Sequence, residues 1–82
     1  MNREQLTAEI RSMVARIIKQ PEDRILPDAN LFSDLGVDSL LGVEIIASLD
    51  RKYSLDVPEG RLKDIKTLND IVEMVASFLA NK

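Results

Sequence analysis

The stretch Asp34-Leu35-Gly36-Val37-Asp38-Ser39-Leu40-Leu41-Gly42-Val43-Glu44 changes character at Ser39. Beyond that serine, Leu40, Val43, Ile46, Leu49 and Tyr53 recur at helical spacing, with Ile45 beside them. The spacing predicts a helix from Ser39 to about Tyr53. Asp38 is a good N-cap, because its carboxylate accepts from the unpaired amides of a first turn. Gly36 lets the chain turn tightly before the cap. Gly42 is expected to weaken the helix interior by roughly 0.5–1 kcal/mol relative to alanine.

Upstream, residues 20 to 38 hold Pro21, Pro27, Asn30, Gly36 and scattered acids without a sustained period, and read as a long loop. Ile25, Leu26, Leu31, Phe32, Leu35 and Val37 are available to pin it to a core. A loop of this length in so small a domain points to function. Before it, Leu6, Ile10, Met13, Val14, Ile17 and Ile18 form one stripe, predicting a helix over 3–19. Asn2 and Gln5 have capping-box spacing, and Pro21 stops the helix by disfavouring helical backbone at Gln20.

Downstream, Pro58 and Gly60 punctuate the chain, and Arg61 to Lys66 suggest a short helical turn with Leu62 and Ile65 facing inward. Leu68, Ile71, Val72, Val75, Phe78 and Leu79 predict a last helix over about 68–79, capped by Thr67 with Asp70 three residues on. No segment alternates as a strand does. The expected fold is all-α, a small bundle of three longer helices plus a short one, with a long loop between the first and second helices. Residues 1–82 are expected to form a single domain.

Composition removes whole classes of chemistry. The 82 residues are 45% hydrophobic and 30% charged, the balance of a folded globule, with a net charge of −3. That charge, with only Phe32, Tyr53 and Phe78 as aromatic platforms, argues against nucleic acid as a partner. There is no cysteine or histidine, so the chain contains no thiolate nucleophile, Ser-His-Asp triad or His-ligated metal. Apolar runs are too short for membrane insertion, and no secretory signal is visible at the N-terminus. A free-standing cytoplasmic monomer without catalytic or metal-binding residues is the expectation.

Ser39 stands at a predicted helix start, where backbone amides favour anionic groups such as a phosphate. It has no internal base to make it a nucleophile. Such a serine is better suited to being modified than to modifying. At this point the chain resembles the acyl carrier proteins, whose signature is a D-S-L tripeptide at the start of the second helix, commonly after L-G-x. Here that is Leu35-Gly36-Val37-Asp38-Ser39-Leu40. Leu55-Asp56-Val57-Pro58 is similar to the family's exit toward its third helix, and Ile65-Lys66-Thr67-Leu68 to the approach to its last, so the resemblance spans residues 3 to 80.

The resemblance implies that Ser39 receives 4′-phosphopantetheine from coenzyme A through a separate phosphopantetheinyl transferase using Mg²⁺. The arm's thiol then holds acyl groups as thioesters and presents them to acyl-loading, ketosynthase-type or ligase enzymes. It also implies that Asp38, besides capping, helps engage the transferase. Leu40 and Leu41 diverge by about 100° on a helix, so one is expected to be exposed. With Glu44 they are the candidate docking residues. Val43, Ile46, Leu62 and Ile65 are candidates for a cleft that shelters an acyl chain.

Fatty-acid-type carriers usually place an acid where this chain has Leu41, and carry a more acidic second and third helix. Residues 59–66 instead hold three cations against two acids, a net +1. The reading is therefore a polyketide-type or otherwise specialised acyl carrier serving polyketide, fatty-acid or related lipid biosynthesis. Two alternatives stay open: an aminoacyl, D-alanyl or peptidyl carrier, and a helical interaction module with no prosthetic group.

Overall fold

A computed structural model describes residues 2–81. Helix α1 spans Arg3–Ile18, α2 spans Ser39–Tyr53 and α3 spans Leu68–Ala80. Two short 3₁₀ segments, Glu22–Arg24 and Glu59–Asp64, lie in the connections. There is no strand among the described residues. The bundle is all-helical, as the sequence predicts.

Each long helix starts where a side chain satisfies its first turn. The Gln5 amide donates to Asn2 Oδ1 at 2.7 Å and the Asn2 amide to Gln5 Oε1 at 3.3 Å. Thr67 and Asp70 make the same reciprocal box at the start of α3. At α2 the Leu41 amide donates to Asp38 Oδ1 at 2.9 Å. Helices α1 and α2 end on left-handed residues, Lys19 and Ser54. Such a terminus returns the last carbonyls to backbone donors. Thus the Gln20 amide donates to Ala15 O and the Leu55 amide to Asp50 O, each at 3.0 Å.

Helix α1 packs against both α2 and α3. Ile10, Val14, Ile45, Leu49, Leu68, Ile71, Val72 and Val75 fill the centre and are fully shielded. Met74, which lies off the predicted stripe of α3, is also buried, whereas Phe78 and Leu79 are only partly covered. At the far end of α2, the Tyr53 hydroxyl donates to Glu9 Oε1 at 2.9 Å, tying α2 to α1. Burial, reinforced by the Glu9 carboxylate, pushes the phenol well above its ordinary range, since both disfavour a phenolate.

The loop between α1 and α2 is part of the core. Ile25, Leu31 and Val37 are buried along it. The Leu31 amide donates to Lys66 O at 2.7 Å, the Asn69 amide to Pro27 O at 3.0 Å, and Arg11 Nε to Ile25 O at 3.2 Å. Asn30 accepts from the Phe32 and Ser33 amides through its side chain, while the Asn30 amide donates to Asp34. Leu26 departs from the expected pinning set: it is 56% exposed. The second 3₁₀ helix begins two residues earlier than the turn expected at Arg61, because Pro58 fixes the backbone that enters it.

Candidate functional site

Three local features place Ser39. Val37 is buried, and its amide donates to Leu31 O at 3.0 Å, which fixes the end of the loop. Gly36 bends the chain there with φ +72°, in the left-handed region where side chains are disfavoured. Asp38 then caps α2, and Ser39 is its first residue. The serine is exposed, and its hydroxyl makes no hydrogen bond to any described residue.

The surroundings suit a phosphodiester on that oxygen. The start of α2 carries partial positive charge from its aligned peptide dipoles. Asp38 leans on the Leu41 amide, leaving Ser39 outside the capping bond. A bulky group attached to Ser39 Oγ meets solvent rather than core. The residues present therefore fit a covalently attached phosphopantetheine. Among the described residues there is no cluster of three or more His, Cys, Asp or Glu suited to a metal.

The two leucines after the serine separate as their spacing demands. Leu40 is 77% exposed, whereas Leu41 is half-buried against the core. Glu44 is exposed one turn beyond Leu40. Leu40 and Glu44 thus share the open surface next to Ser39, and Leu41 is turned inward. Ahead of the serine, residues 20–38 hold five acids and one arginine, a net −4, so the rest of the chain nets +1. All of the chain's acidic excess lies in the segment leading to Ser39. Leu26 and Leu35 flank an open groove there of ≈550 Å³, with Asp23 and Asp34 also lining it.

Two of the four cleft candidates share a recess. Val43 and Ile46 line an open recess of ≈350 Å³, together with Ala47, Asp50, Asp56, Val57, Pro58 and Glu59. Ile65 is a core residue, 1% exposed. Leu62 lies against Gly42: a β-carbon built there would overlap Leu62 Cδ1. Gly42, expected only to weaken the helix, is what allows the 3₁₀ helix to approach α2. The available signal was a lone glycine inside a helical pattern, which flags a close approach.

In sequence and in fold the chain is similar to known proteins. Residues 8–75 match the family described as Phosphopantetheine attachment site. The chain is 25% identical to an acyl carrier protein of Thermosynechococcus vestitus over 80 residues, covering 98% of this chain and 99% of that one. Its fold is similar to the HMG-ACPI domain from the CurA module of Lyngbya majuscula, with TM-score 0.84, 28% identity, and coverage of 98% of this chain and 80% of that one. It is similar to a free-standing peptidyl carrier protein from an uncharacterized Acinetobacter baumannii secondary metabolic pathway, with TM-score 0.82, 27% identity, and coverage of 95% and 96%. It also matches the apo doublet acyl carrier protein from prodigiosin biosynthesis, with TM-score 0.80 and 28% identity, covering 90% of this chain and 36% of the doublet.

Proposed function

Because this chain belongs to the Phosphopantetheine attachment site family, the acyl and peptidyl carriers, and as such carries a covalent 4′-phosphopantetheine, we propose that Ser39 is the residue that bears it. The observation that carries this assignment is the unpartnered Ser39 hydroxyl, exposed on the first turn of a capped helix. In the loading step Ser39 Oγ bonds to the pantetheine-bearing phosphorus of coenzyme A, and the nucleotide part of coenzyme A leaves. The serine proton passes to a base of the transferase, since the chain has no histidine of its own. The Mg²⁺ for this step belongs to the transferase. Once attached, the arm supplies the thiol that the chain lacks, for holding cargo as thioesters.

The residues around Ser39 hold and present it. Asp38 keeps the helix start in place through the Leu41 amide and adds a carboxylate for the transferase to engage. Leu40 and Glu44 form the docking surface. The acidic loop before them favours partner enzymes with basic patches, which raises encounter rates more than affinity. Tethering raises the effective concentration of the intermediate at each partner's site. We assign the chain to acyl cargo in a polyketide-type or specialised pathway, with no catalysis of its own. Among the described residues no helix is long and apolar enough to cross a membrane, which is consistent with work among cytoplasmic enzymes.

The test is mass spectrometry after incubation with coenzyme A, Mg²⁺ and a broad-specificity transferase. Wild type should gain one phosphopantetheine, and Ser39→Ala none. A wild type that keeps its starting mass, while a known carrier is labelled, overturns the assignment. A second cargo, aminoacyl or peptidyl, is favoured by the likeness to the free-standing peptidyl carrier. Charging with acyl against aminoacyl adenylates by the respective ligases separates the two.

A further inference from the structure

Among the described residues two large apolar side chains stand exposed, Leu40 on α2 and Leu26 in the loop before it. A single surface leucine is ordinary, but the frame around Leu26 is built. Ile25, just before it, is buried. The Ile25 carbonyl accepts from Arg11 Nε, and the Pro27 carbonyl accepts from the Asn69 amide. The backbone on either side of Leu26 is therefore tied to α1 and to α3. The Leu26 carbonyl itself accepts from the Ala29 amide at 3.2 Å. Pro27 also restricts Leu26 to extended backbone.

Leu26 divides two open recesses. The groove of ≈550 Å³ has Pro21, Ala29 and Leu35 in its lining together with Leu26. A second recess, of ≈360 Å³, is lined by Leu26 with Ile25 and Arg11. Leu26 and Asp23 line both, so they form the divide. The lining of each recess is mostly apolar, and acids lie among it: Asp34 in the first, Glu22 in the second, Asp23 in both. The Glu22 and Asp23 carboxylates make no ion pair or hydrogen bond to any described residue. Arg24 and Arg11 are the cations of the linings, and Arg11 Nε is engaged on Ile25 O.

We propose that this knob and its two recesses are a second docking site of the carrier, and that its occupant is an amphipathic helix of a partner enzyme with lysine or arginine along its edges. The knob favours a helix. Side chains three or four residues apart on one helix face have β-carbons about 5–6 Å apart, so one can enter each recess with Leu26 between them. The unpaired Glu22 and Asp23 favour cationic edges on that helix. The bonded frame holds Leu26 in place beforehand, which lowers the ordering cost of binding. Leu35 is four residues before Ser39, so the groove's edge lies within about 14 Å of the serine along the chain. Ser39, Leu40 and Glu44 line neither recess, so the site adds to the α2 surface and does not compete with it.

The experiment titrates the full chain, isotope-labelled and without the arm, with a helical peptide that has leucines on one face and lysines along its edges. Two control peptides carry glutamate in place of lysine, or serine in place of leucine. Amide shifts of Asp23, Leu26, Ala29 and Leu35 report the site, and those of Lys63 and Ser77, exposed elsewhere, report indiscriminate binding. The lysine–leucine peptide should shift the first set alone, and both controls should bind at least about tenfold more weakly. Leu26→Ala should weaken binding about tenfold, as loss of an apolar anchor does. Glu22→Gln/Asp23→Asn should weaken it about threefold at low salt and have no effect at high salt. Spectra of the unbound variants verify that each is folded.

No shift of the first set, or shifts spread equally over both sets, overturns the site. Unchanged binding by Leu26→Ala or by the serine peptide reduces the interaction to charge and overturns the knob. Equal or tighter binding of the glutamate peptide overturns the cationic helix. Shifts of the first set that grow with protein concentration alone make a second copy the occupant, and overturn the partner helix as well. The titration needs no arm, so its failure leaves the assignment of Ser39 untouched, and a Ser39 that stays unmodified leaves the titration result standing.

Discussion

Replacing Leu31 by alanine tests whether the long loop is a structural part of the bundle or a strap lying over it. Leu31 is 1% exposed, among the largest fully shielded side chains of the protein. Leu31→Ala removes three carbon groups, a transfer loss of about 2.4 kcal/mol at roughly 0.8 kcal/mol each. A cavity contribution adds to this, limited by how far the neighbours collapse. The loop backbone at Leu31 is held by its 2.7 Å bond to Lys66 O and by the Val37 amide, so it cannot simply move in. The expected cost is about 3 kcal/mol, in the lower half of the range for buried leucines. For a chain of this size that lowers Tm by roughly 12–24 °C. Leu26→Ala, five residues earlier and 56% exposed, should stay within about 0.5 kcal/mol of wild type. Urea melts followed by far-UV circular dichroism read both. If the two variants differ by less than about 1 kcal/mol, the loop is not anchored as described. The mechanism by which Val37, Gly36 and Asp38 place Ser39 then loses its foundation.

Asp38 has two proposed duties that one pair of variants separates. Asp38→Ala should lose about 1 kcal/mol of stability with the cap, whereas Asp38→Asn should keep the cap and lose only the charge. Slower phosphopantetheinylation of the asparagine variant at unchanged Tm supports the contact with the transferase; an unchanged rate removes it. Tyr53 gives a pH prediction. Its phenol is raised in the folded state by burial and by Glu9, so its contribution to stability is complete below the ordinary phenol value near ~10 and is lost as pH rises above that. The stability difference between wild type and Tyr53→Phe should therefore be constant up to about pH 9 and shrink above about pH 10. A difference that stays flat to pH 11 in denaturant melts would contradict the raised phenol. Leu40→Ala should leave Tm unchanged while raising KM for the transferase or a cargo-loading enzyme, because the side chain is 77% exposed and touches solvent rather than core. An unaltered KM with every partner tested removes Leu40 from the docking surface.

What the amino-acid sequence determined alone is everything that depends on near neighbours along the chain. The helical spacing of Ile46, Leu49 and Tyr53 specifies α2 and its buried face, although Leu40 at the same spacing is exposed, and Asp38 specifies where the helix begins. The same holds for the boxes of Asn2 with Gln5 and Thr67 with Asp70. The serine at the helix start followed from these local signals, so the candidate site was legible before any packing was known. The tertiary structure decided matters between segments far apart in the chain. Leu26 and Leu31 are both leucines in the same loop, and only the meeting of that loop with Lys66 buries the second and leaves the first in water. Gly42 reads locally as a weak point, and only the arrival of Leu62, twenty residues later, turns its missing side chain into a seat. Leu40 and Leu41 are distinguished by where the core lies, not by anything in their own stretch of sequence. Periodicity and capping are short-range hydrogen-bonding and steric effects, whereas burial depends on which distant surfaces the whole chain brings into contact.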